Sequence, residues 1–345
     1  MGLIEKSREN PIARNVLIIL ITSLSLPITG IIILLLGVNP IQAFASLLEG
    51  AFGTMRAISE TARLATPLLL IGLGLVIAYR CQIWNIGAEG QYIAGGLGAI
   101  WIGLEWGGYI PSAVIIPVML IMGVVCGALW ALLPGLLKAR LGLSEIVVSL
   151  MMNFVALFGL AYIVRIPLKN PEYYLPQTAQ LDLSARLPNL FGSRIHIGFL
   201  IAIACVFLVQ FILWKTAFGY ELRAVGSNAS AAEGAGIKVE RSIVSVMLIS
   251  GAFAGLAGAI QIMGVYYFAA QGFASGYGYT AVLIAILGQL NPFGVLFAAF
   301  LFAALVIGAD FMHRAVGLEQ ALVHFIQATI VMFFLIGSAI MRKKD

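Results

Sequence analysis

The chain has 345 residues, of which 61% are hydrophobic and only 10% are charged, and its formal net charge is +5. About a quarter of the residues of an ordinary soluble domain are charged, so this composition excludes a soluble globular protein. The twenty Lys and Arg residues are scattered through short loops without a basic stripe, which argues against a nucleic-acid partner.

Apolar runs of nearly membrane-spanning length recur along the chain. One helical crossing of a bilayer needs about 20 mostly apolar residues. The lapses in hydropathy predict ten crossings, at 16–38, 64–80, 91–104, 110–133, 145–164, 196–214, 242–263, 278–290, 292–310 and 321–341. The sequence therefore predicts an all-α polytopic membrane protein, with an N-terminal segment at 1–15, a single transmembrane domain at 16–341 and a tail at 342–345.

The charges of the loops predict an orientation, because Lys and Arg are more frequent in cytoplasmic loops. If residues 1–15 are cytoplasmic, the ten crossings leave thirteen Lys and Arg inside and seven outside. Both termini are therefore expected in the cytoplasm, and the membrane lipid is expected to surround the bundle.

The string WNIGAEGQYIAGG at 84–96 interrupts the apolar sequence with polar residues and glycines. It leads into an unusually short predicted crossing, 91–104. A short or broken helix is tolerated where its backbone is buried in protein or lines a cavity. One interpretation is a break that lines a substrate pathway and offers Asn85, Glu89 and Gln91. The alternative is a simple helix start, with Glu89 facing cytoplasmic water at the positive end of the helix dipole.

Polar residues inside the predicted crossings are few. Asn153 and Gln261 are candidates for the pathway, but interhelical packing is the alternative that is favoured for them. Charged residues are almost absent from the crossings, which argues against a proton or ion relay. The segment 165–195 contains four prolines and is predicted to form an external cap.

The segment 215–241 is predicted to be a long cytoplasmic loop rich in Gly, Ala and Ser. Its stretch 229–233 could form a short helix whose small side chains permit close approach to another protein. A charged side chain such as Arg223 could fix the register of that contact. A solvated turn is the alternative that composition alone favours.

A second interruption of the apolar sequence, at 264–279, is rich in aromatic residues. Tyr266, Gln271 and Tyr277 suit a nucleobase, because bases stack on aromatic faces. Tyrosine is also enriched at membrane interfaces. The stretches 72–100 and 255–288 each read as helix, Gly-rich break and short helix, which indicates weak inverted internal repeats.

Four strings together resemble a known family: ELRAVGSNASAAEGAGIKV at 221–239, WNIGAEGQYIAGG at 84–96, GLSEIVVSLMMNFVA at 142–156 and GYGYTAVLIAILGQLNPFG at 276–294. They are similar to permeases of the branched-chain amino acid, ribose and nucleoside group of ATP-binding-cassette (ABC) importers. The form NIGAEGQ resembles most the nucleoside branch, which works with basic-membrane-protein lipoproteins.

This resemblance implies a type II-like importer permease in the cytoplasmic membrane of a prokaryote. It implies three partners: a cytoplasmic ATPase, a second permease that is a distinct paralogue, and an extracytoplasmic substrate-binding lipoprotein. The residues it assigns to contact with the ATPase are Glu221, Arg223, Ala224, Gly226, Asn228, Ala231, Ala232 and Gly236.

The chain is not expected to be an enzyme or to bind a cofactor or metal itself. It has no GxxxxGK[ST] phosphate-binding loop, so ATP and Mg are expected on the ATPase. The predicted cargo is a nucleoside, with a sugar such as ribose, or riboflavin, as the alternative. An ATP-independent carrier and an intramembrane enzyme are disfavoured, because the chain lacks intramembrane acids and a HExxH motif.

Overall fold

We describe residues 20–190 and 192–341 from a computed structural model. These residues are helical and contain no β-strand, only isolated bridges that join Gln177 to Ala270 and Asn189 to His196. The proposed terminal segments, 1–15 and 342–345, lie outside the described residues.

Thirteen α-helices are described. They are α1 Ser25–Leu35, α2 Pro40–Phe52, α3 Met55–Arg80, α4 Ala88–Trp106, α5 Ser112–Leu141, α6 Glu145–Ile163, α7 Gly198–Lys215, α8 Ala217–Ser227, α9 Ala229–Gly234, α10 Val239–Gln261, α11 Tyr277–Leu287, α12 Pro292–Val316 and α13 Gln320–Met341. Short 3₁₀ turns lie at Leu183–Ala185 and Gln271–Phe273, and a π-helical turn at Ile262–Tyr266 extends α10.

Every predicted crossing contains a described helix, but the number of crossings is not thereby confirmed. Six of the described helices are long and apolar enough to span a bilayer: α3, α5, α6, α7, α10 with its π-helical turn, and α12. A bent pair, Leu20–Leu35 with Pro40–Phe52, would make a seventh span if counted as one. Helix α11 has 11 residues and is roughly 16 Å long, about half the thickness of a hydrocarbon core.

The largest difference from the prediction lies between the first two predicted crossings. Helix α2 fills part of a stretch that was expected to be loop, and α3 begins at Met55 instead of residue 64. Asn39 caps α2, because its side chain accepts a hydrogen bond from the Ile41 N–H. Such a short amphipathic helix has too few consecutive apolar residues to register as a crossing.

The described residues form two compact units, Met1–Thr61 with Phe300–Asp345 and Ala62–Ala299. In the first unit, α1 and α2 contribute to an apolar core with α12 and α13. The buried members of this core are Ile33, Ala43, Leu47, Ala309, Met312, Leu318 and Ile326.

In the second unit, α4, α5 and α10 pack with their backbones in contact. A Cβ atom on Gly95 would overlap the backbone of Gly255, and one on Gly127 would overlap the carbonyl of Gly251. Glycine is required at these positions because any side chain would push the helices apart. This close packing brings the ends of α3, α4, α10 and α11 together around the predicted site.

Candidate functional site

The first break, residues 81–87, separates α3 from α4 and is held by a reciprocal pair of amides. Asn85 donates to Gln91 Oε1 at 2.8 Å, and Gln91 Nε2 donates back to Asn85 Oδ1 at 3.0 Å. Asn85 also donates to Ser250 Oγ at 2.9 Å and accepts from the Gly87 N–H at 3.0 Å. Both amide side chains are buried and bonded to the protein.

Residues of helix α6 also form hydrogen bonds with the first break and with the first turn of α4. Asn153 accepts from the Gly90 N–H at 2.8 Å, and its amide donates to the Ile86 carbonyl at 2.9 Å and to Tyr279 Oη at 3.1 Å. The Ile86 N–H donates to Ser149 Oγ at 3.3 Å. These contacts fit the packing role that the sequence offered as one alternative for Asn153.

Glu89 joins the starts of two helices. It lies in the first turn of α4, but its carboxylate accepts hydrogen bonds from the Gly276 N–H at 2.9 Å and the Gly278 N–H at 2.6 Å. These donors belong to the start of α11, whose backbone touches Glu89 so closely that a Cβ on Gly278 would overlap it. A carboxylate is favourable at the positive ends of two helix dipoles.

Of the two alternatives offered by the sequence, the one in which Glu89 faces cytoplasmic water does not fit this structure, since the side chain is only 2% exposed. Sequence reasoning placed it correctly at a helix start. It could not identify the second helix, which is 187 residues further along the chain.

The second break, residues 262–276, separates α10 from α11 and is paired with the segment of the predicted cap. The Leu187 N–H donates to the Met263 carbonyl at 2.9 Å, and the Leu181 N–H donates to the Tyr267 carbonyl at 2.8 Å. Tyr267 has a left-handed backbone with φ of 63°, which is uncommon for a residue with a side chain. Arg186 lies 4.6 Å above the Tyr267 ring.

Aromatic rings fill the space between this break and α4. The ring of Tyr92 stacks on Phe273 at 4.6 Å between centroids and meets the edge of Tyr277 at 5.7 Å. Tyr266 also meets Phe273 edge to face. The Tyr277 hydroxyl interacts with Tyr266 and Gln261. We call Tyr92, Gln261, Tyr266, Phe273 and Tyr277 the aromatic cluster.

Two polar atoms of the aromatic cluster have no hydrogen-bond partner among the described residues, Tyr92 Oη and Gln261 Oε1. Tyr92 is fully buried and Gln261 is 2% exposed. A buried polar atom left unpaired costs about 1–3 kcal/mol. Such atoms are the ones that a polar ligand could satisfy.

The other residues predicted at this break differ in position. Gln271 is exposed and accepts a hydrogen bond of 3.4 Å from Arg165. Tyr266 and Tyr277 are half-buried within the aromatic cluster. Tyr279, in the first turn of α11, was not among the predicted site residues; it is exposed and contacts Asn153.

The predicted cytoplasmic loop at 215–241, which we call the coupling loop, contains two helices, α8 and α9. The short helix expected at 229–233 is present as Ala229–Gly234, and Asn228 caps it by accepting from the Ala231 N–H at 3.0 Å. Thr216 caps α8 in the same way, through the Gly219 N–H at 3.1 Å.

The eight residues assigned to ATPase contact divide into two groups. Glu221, Asn228, Ala231 and Gly236 are exposed, whereas Arg223, Ala224 and Gly226 are half-buried and Ala232 is buried. Arg223 lies 4.7 Å above the ring of Trp214, and a Cβ on Gly226 would overlap the Arg80 carbonyl. These two residues therefore direct at least one face toward their own chain.

Sequence reasoning did not select Tyr92, Ser149 or Ser250 as site residues. Tyr92 lies three residues after Glu89, so helical spacing places both on one face of α4. Ser149 and Ser250 gave no signal, because a single serine in an apolar helix is common.

Comparison with known proteins identifies relatives over most of the chain. Residues 57–336 match the family described as branched-chain amino acid transport system / permease component. A guanosine ABC transporter permease protein of Bacillus subtilis is 37% identical and is covered over 90% of both chains. A nucleoside ABC transporter permease protein of Lactococcus lactis is 33% identical, covering 88% of this chain and 86% of the relative.

A glucose ABC transporter permease protein of Haloferax volcanii is 33% identical, over 90% of this chain and 84% of the relative. No solved structure gives a significant match.

Proposed function

The chain belongs to the family of branched-chain amino acid transport system permease components, and we propose that it carries nucleosides inward as one permease subunit of an ABC importer. It is a multi-pass membrane protein and a non-enzymatic transport subunit, and the family works with ATPase and substrate-binding partners.

The aromatic cluster is the observation that carries the choice of cargo. A nucleoside presents a flat base that stacks on aromatic rings and polar edges that form hydrogen bonds. Tyr92, Phe273 and Tyr277 supply the rings, and Tyr92 Oη and Gln261 Oε1 are buried without partners. The guanosine and nucleoside permeases among the relatives support the same cargo.

The arrangement in the membrane is part of the proposal. The proposal includes ten crossings, both termini in the cytoplasm of a prokaryote, and inverted repeats. In this arrangement the 11-residue α11 would be a partial crossing that begins beside the start of the 19-residue α4. The contact of both helix starts with Glu89 supports this arrangement. The many exposed apolar side chains of α5, α6 and α7 suit contact with lipid or a second permease.

The partners are proposed as the resemblance implies them. A distinct permease would complete the pathway, a lipoprotein would deliver the nucleoside to the outer face, and a cytoplasmic ATPase would hold ATP and Mg. Of the eight residues assigned to ATPase contact, four are exposed and so accessible to the ATPase: Glu221, Asn228, Ala231 and Gly236. Nucleotide-driven movement of this loop would then open and close the pathway.

Reconstitution of the full complex tests the cargo. Proteoliposomes with both permeases, the ATPase inside and the lipoprotein outside should take up labelled guanosine only when ATP is enclosed. Excess unlabelled adenosine should compete for uptake and excess glucose should not. ATP-dependent uptake of glucose without uptake of guanosine would reject the nucleoside assignment.

A sugar is the second candidate, because the glucose permease of Haloferax volcanii is as similar to this chain as the nucleoside permease of Lactococcus lactis is. The two cargoes differ in what they require from the aromatic cluster. A sugar lacks the flat base that would exploit stacking on three rings.

A further inference from the structure

The coupling loop is joined to α11 through a residue that lies outside the loop, Arg80. This residue ends α3. Helix α8 of the loop packs directly on it, because a Cβ on Gly226 would overlap the Arg80 carbonyl and approach Cys81. The guanidinium of Arg80 lies 5.5 Å from the centroid of the Trp214 ring, and that of Arg223 lies 4.7 Å from the same centroid.

The guanidinium groups of Arg80 and Arg223 both contact the indole of Trp214, so movement of one should affect the other. Each guanidinium is attracted by the ring, but the two positive charges repel one another. One terminal nitrogen of Arg223 is buried without a hydrogen-bond partner among the described residues. A small movement of α8 would therefore change the position of the Arg80 side chain.

Arg80 holds the far end of α11. Its Nε and Nη2 atoms both donate to the Leu290 carbonyl, at 3.1 and 3.0 Å. Leu290 and the preceding Gln289 both have φ of 53°, so the turn after α11 places two successive side-chain-bearing residues in the left-handed region. That conformation persists only where surrounding contacts impose it.

The near end of α11 is held by Glu89 through Gly276 and Gly278. Between these two attachments α11 has eleven residues with a continuous helical backbone. It also runs beside α3, since Ile284 lies within contact distance of the position that a Cβ on Gly72 would occupy. A displacement at the Leu290 end is thereby transmitted along a short rigid helix to the site at Glu89.

We propose that Arg80 is a positioning residue that couples movement of the ATPase-docking loop to α11, and through α11 to Glu89 and the aromatic cluster. This inference rests on the proposed function, because it takes the segment 215–241 as the surface on which the ATPase acts. Arg80 itself contacts neither the ATPase nor the cargo in this account.

The test compares guanosine transported with ATP hydrolysed in proteoliposomes that contain the full complex. In Arg80→Gln and Arg80→Lys the ATPase should assemble and retain most of its activity. The amount of guanosine imported per ATP should fall by about fivefold or more, the lower bound of typical coupling between sites. Lysine keeps the charge but not the planar pair of donors, so it should not rescue coupling.

Lys138→Gln is the control. Lys138 is also a basic residue in the last turn of a helix, α5, and it pairs with Glu145 of α6 at 2.8 Å. Its variant should lower thermal stability, yet change the ratio of guanosine to ATP by less than about twofold, below the usual range of intersite coupling.

The outcomes separate this inference from the proposed function. If the unmodified complex imports no guanosine, the cargo is wrong. If it imports guanosine but the Arg80 variants keep the normal ratio, or lose uptake and ATP hydrolysis in proportion, Arg80 is not the coupling residue. Arg80→Lys preserves the local charge, so the test remains available if Arg80→Gln does not assemble.

Discussion

The breaks at 81–87 and 262–276 both join a long helix to the start of another helix, yet the polar atoms around them are satisfied differently. In the first break, Asn85 and Gln91 bond to each other's side chains, and Asn153 bonds to the backbone of Ile86 and Gly90. In the second, Tyr92 Oη and Gln261 Oε1 face the aromatic rings without partners. A satisfied network fixes a conformation, whereas unsatisfied buried groups retain the capacity to bind a polar ligand.

This contrast divides the residues predicted to line one substrate pathway into two sets with different roles. Asn85, Gln91 and Asn153 are expected to hold the pathway in shape. Gln261 and Tyr277, with Tyr92, are expected to meet the cargo. Glu89 connects the two sets, because it belongs to α4 but bonds to the start of α11.

The largest effect is expected from Glu89→Gln, which replaces one carboxylate oxygen with an NH2 group that cannot accept a hydrogen bond from Gly276 or Gly278. A hydrogen bond to a charged group contributes about 1.5–3 kcal/mol, so losing the carboxylate should lower uptake by about tenfold or more and reduce thermal stability. Uptake and the melting temperature of the purified complex measure this. Glu105→Gln, at the exposed end of the same helix, is the control and should change neither.

A second substitution tests whether the first break is structural. Asn85→Ala removes the partner of Gln91, Ser250 and the Gly87 N–H. Stranding those buried groups should cost about 1–3 kcal/mol of stability, measured by thermal unfolding. The KM for guanosine should stay within about twofold of normal, because in this account Asn85 makes no contact with the cargo. A large rise in KM at unchanged stability would assign Asn85 to the cargo instead.

The second break should respond in the opposite way to Gln261→Leu. This change removes a buried unpaired oxygen together with the amide that contacts the Tyr277 hydroxyl. Stability should therefore fall by no more than about 1.5 kcal/mol, the net contribution of one hydrogen bond. Loss of one hydrogen bond to the cargo should raise the KM for guanosine about fivefold, equivalent to about 1 kcal/mol. Initial uptake rates over a range of guanosine concentrations provide the measurement, and an unchanged KM would contradict the assignment.

The smallest effect is expected from Gln271→Ala. Its side chain is exposed and bonds weakly to Arg165 at 3.4 Å. Solvent-exposed substitutions usually change stability by less than about 0.5 kcal/mol. Uptake should therefore remain within about twofold of normal; a loss as large as that of Gln261→Leu would extend the cargo site to the exposed side of the second break.

The sequence predicted the helical class, the two breaks and the short helix of the coupling loop, because each depends on local composition. The predicted starts of α4 and α6 lie within about three residues of the observed ones, which is the usual error of a helix boundary predicted from sequence. Helix α2 was missed, since its amphipathic pattern contains too few apolar residues in succession for a hydropathy window.

The functional arrangement could not be predicted from local pattern, because it depends on contacts between distant segments. Nothing in the string around Glu89 indicates that its carboxylate bonds to Gly276 and Gly278. Nor does any local pattern distinguish Asn153, whose amide is fully bonded, from Gln261, whose oxygen is not. Arg80 appeared in the sequence only as one more positive charge beside a crossing.

The most direct test of the division between the two breaks is the KM for guanosine in Tyr92→Phe, which removes one hydroxyl and keeps the stacked ring. Our account predicts a KM raised by about fivefold, the effect of one lost hydrogen bond, with a melting temperature equal to or above that of the unmodified complex. An unchanged KM together with a lower melting temperature would show that the Tyr92 hydroxyl stabilises the fold and contradict its role in binding the cargo.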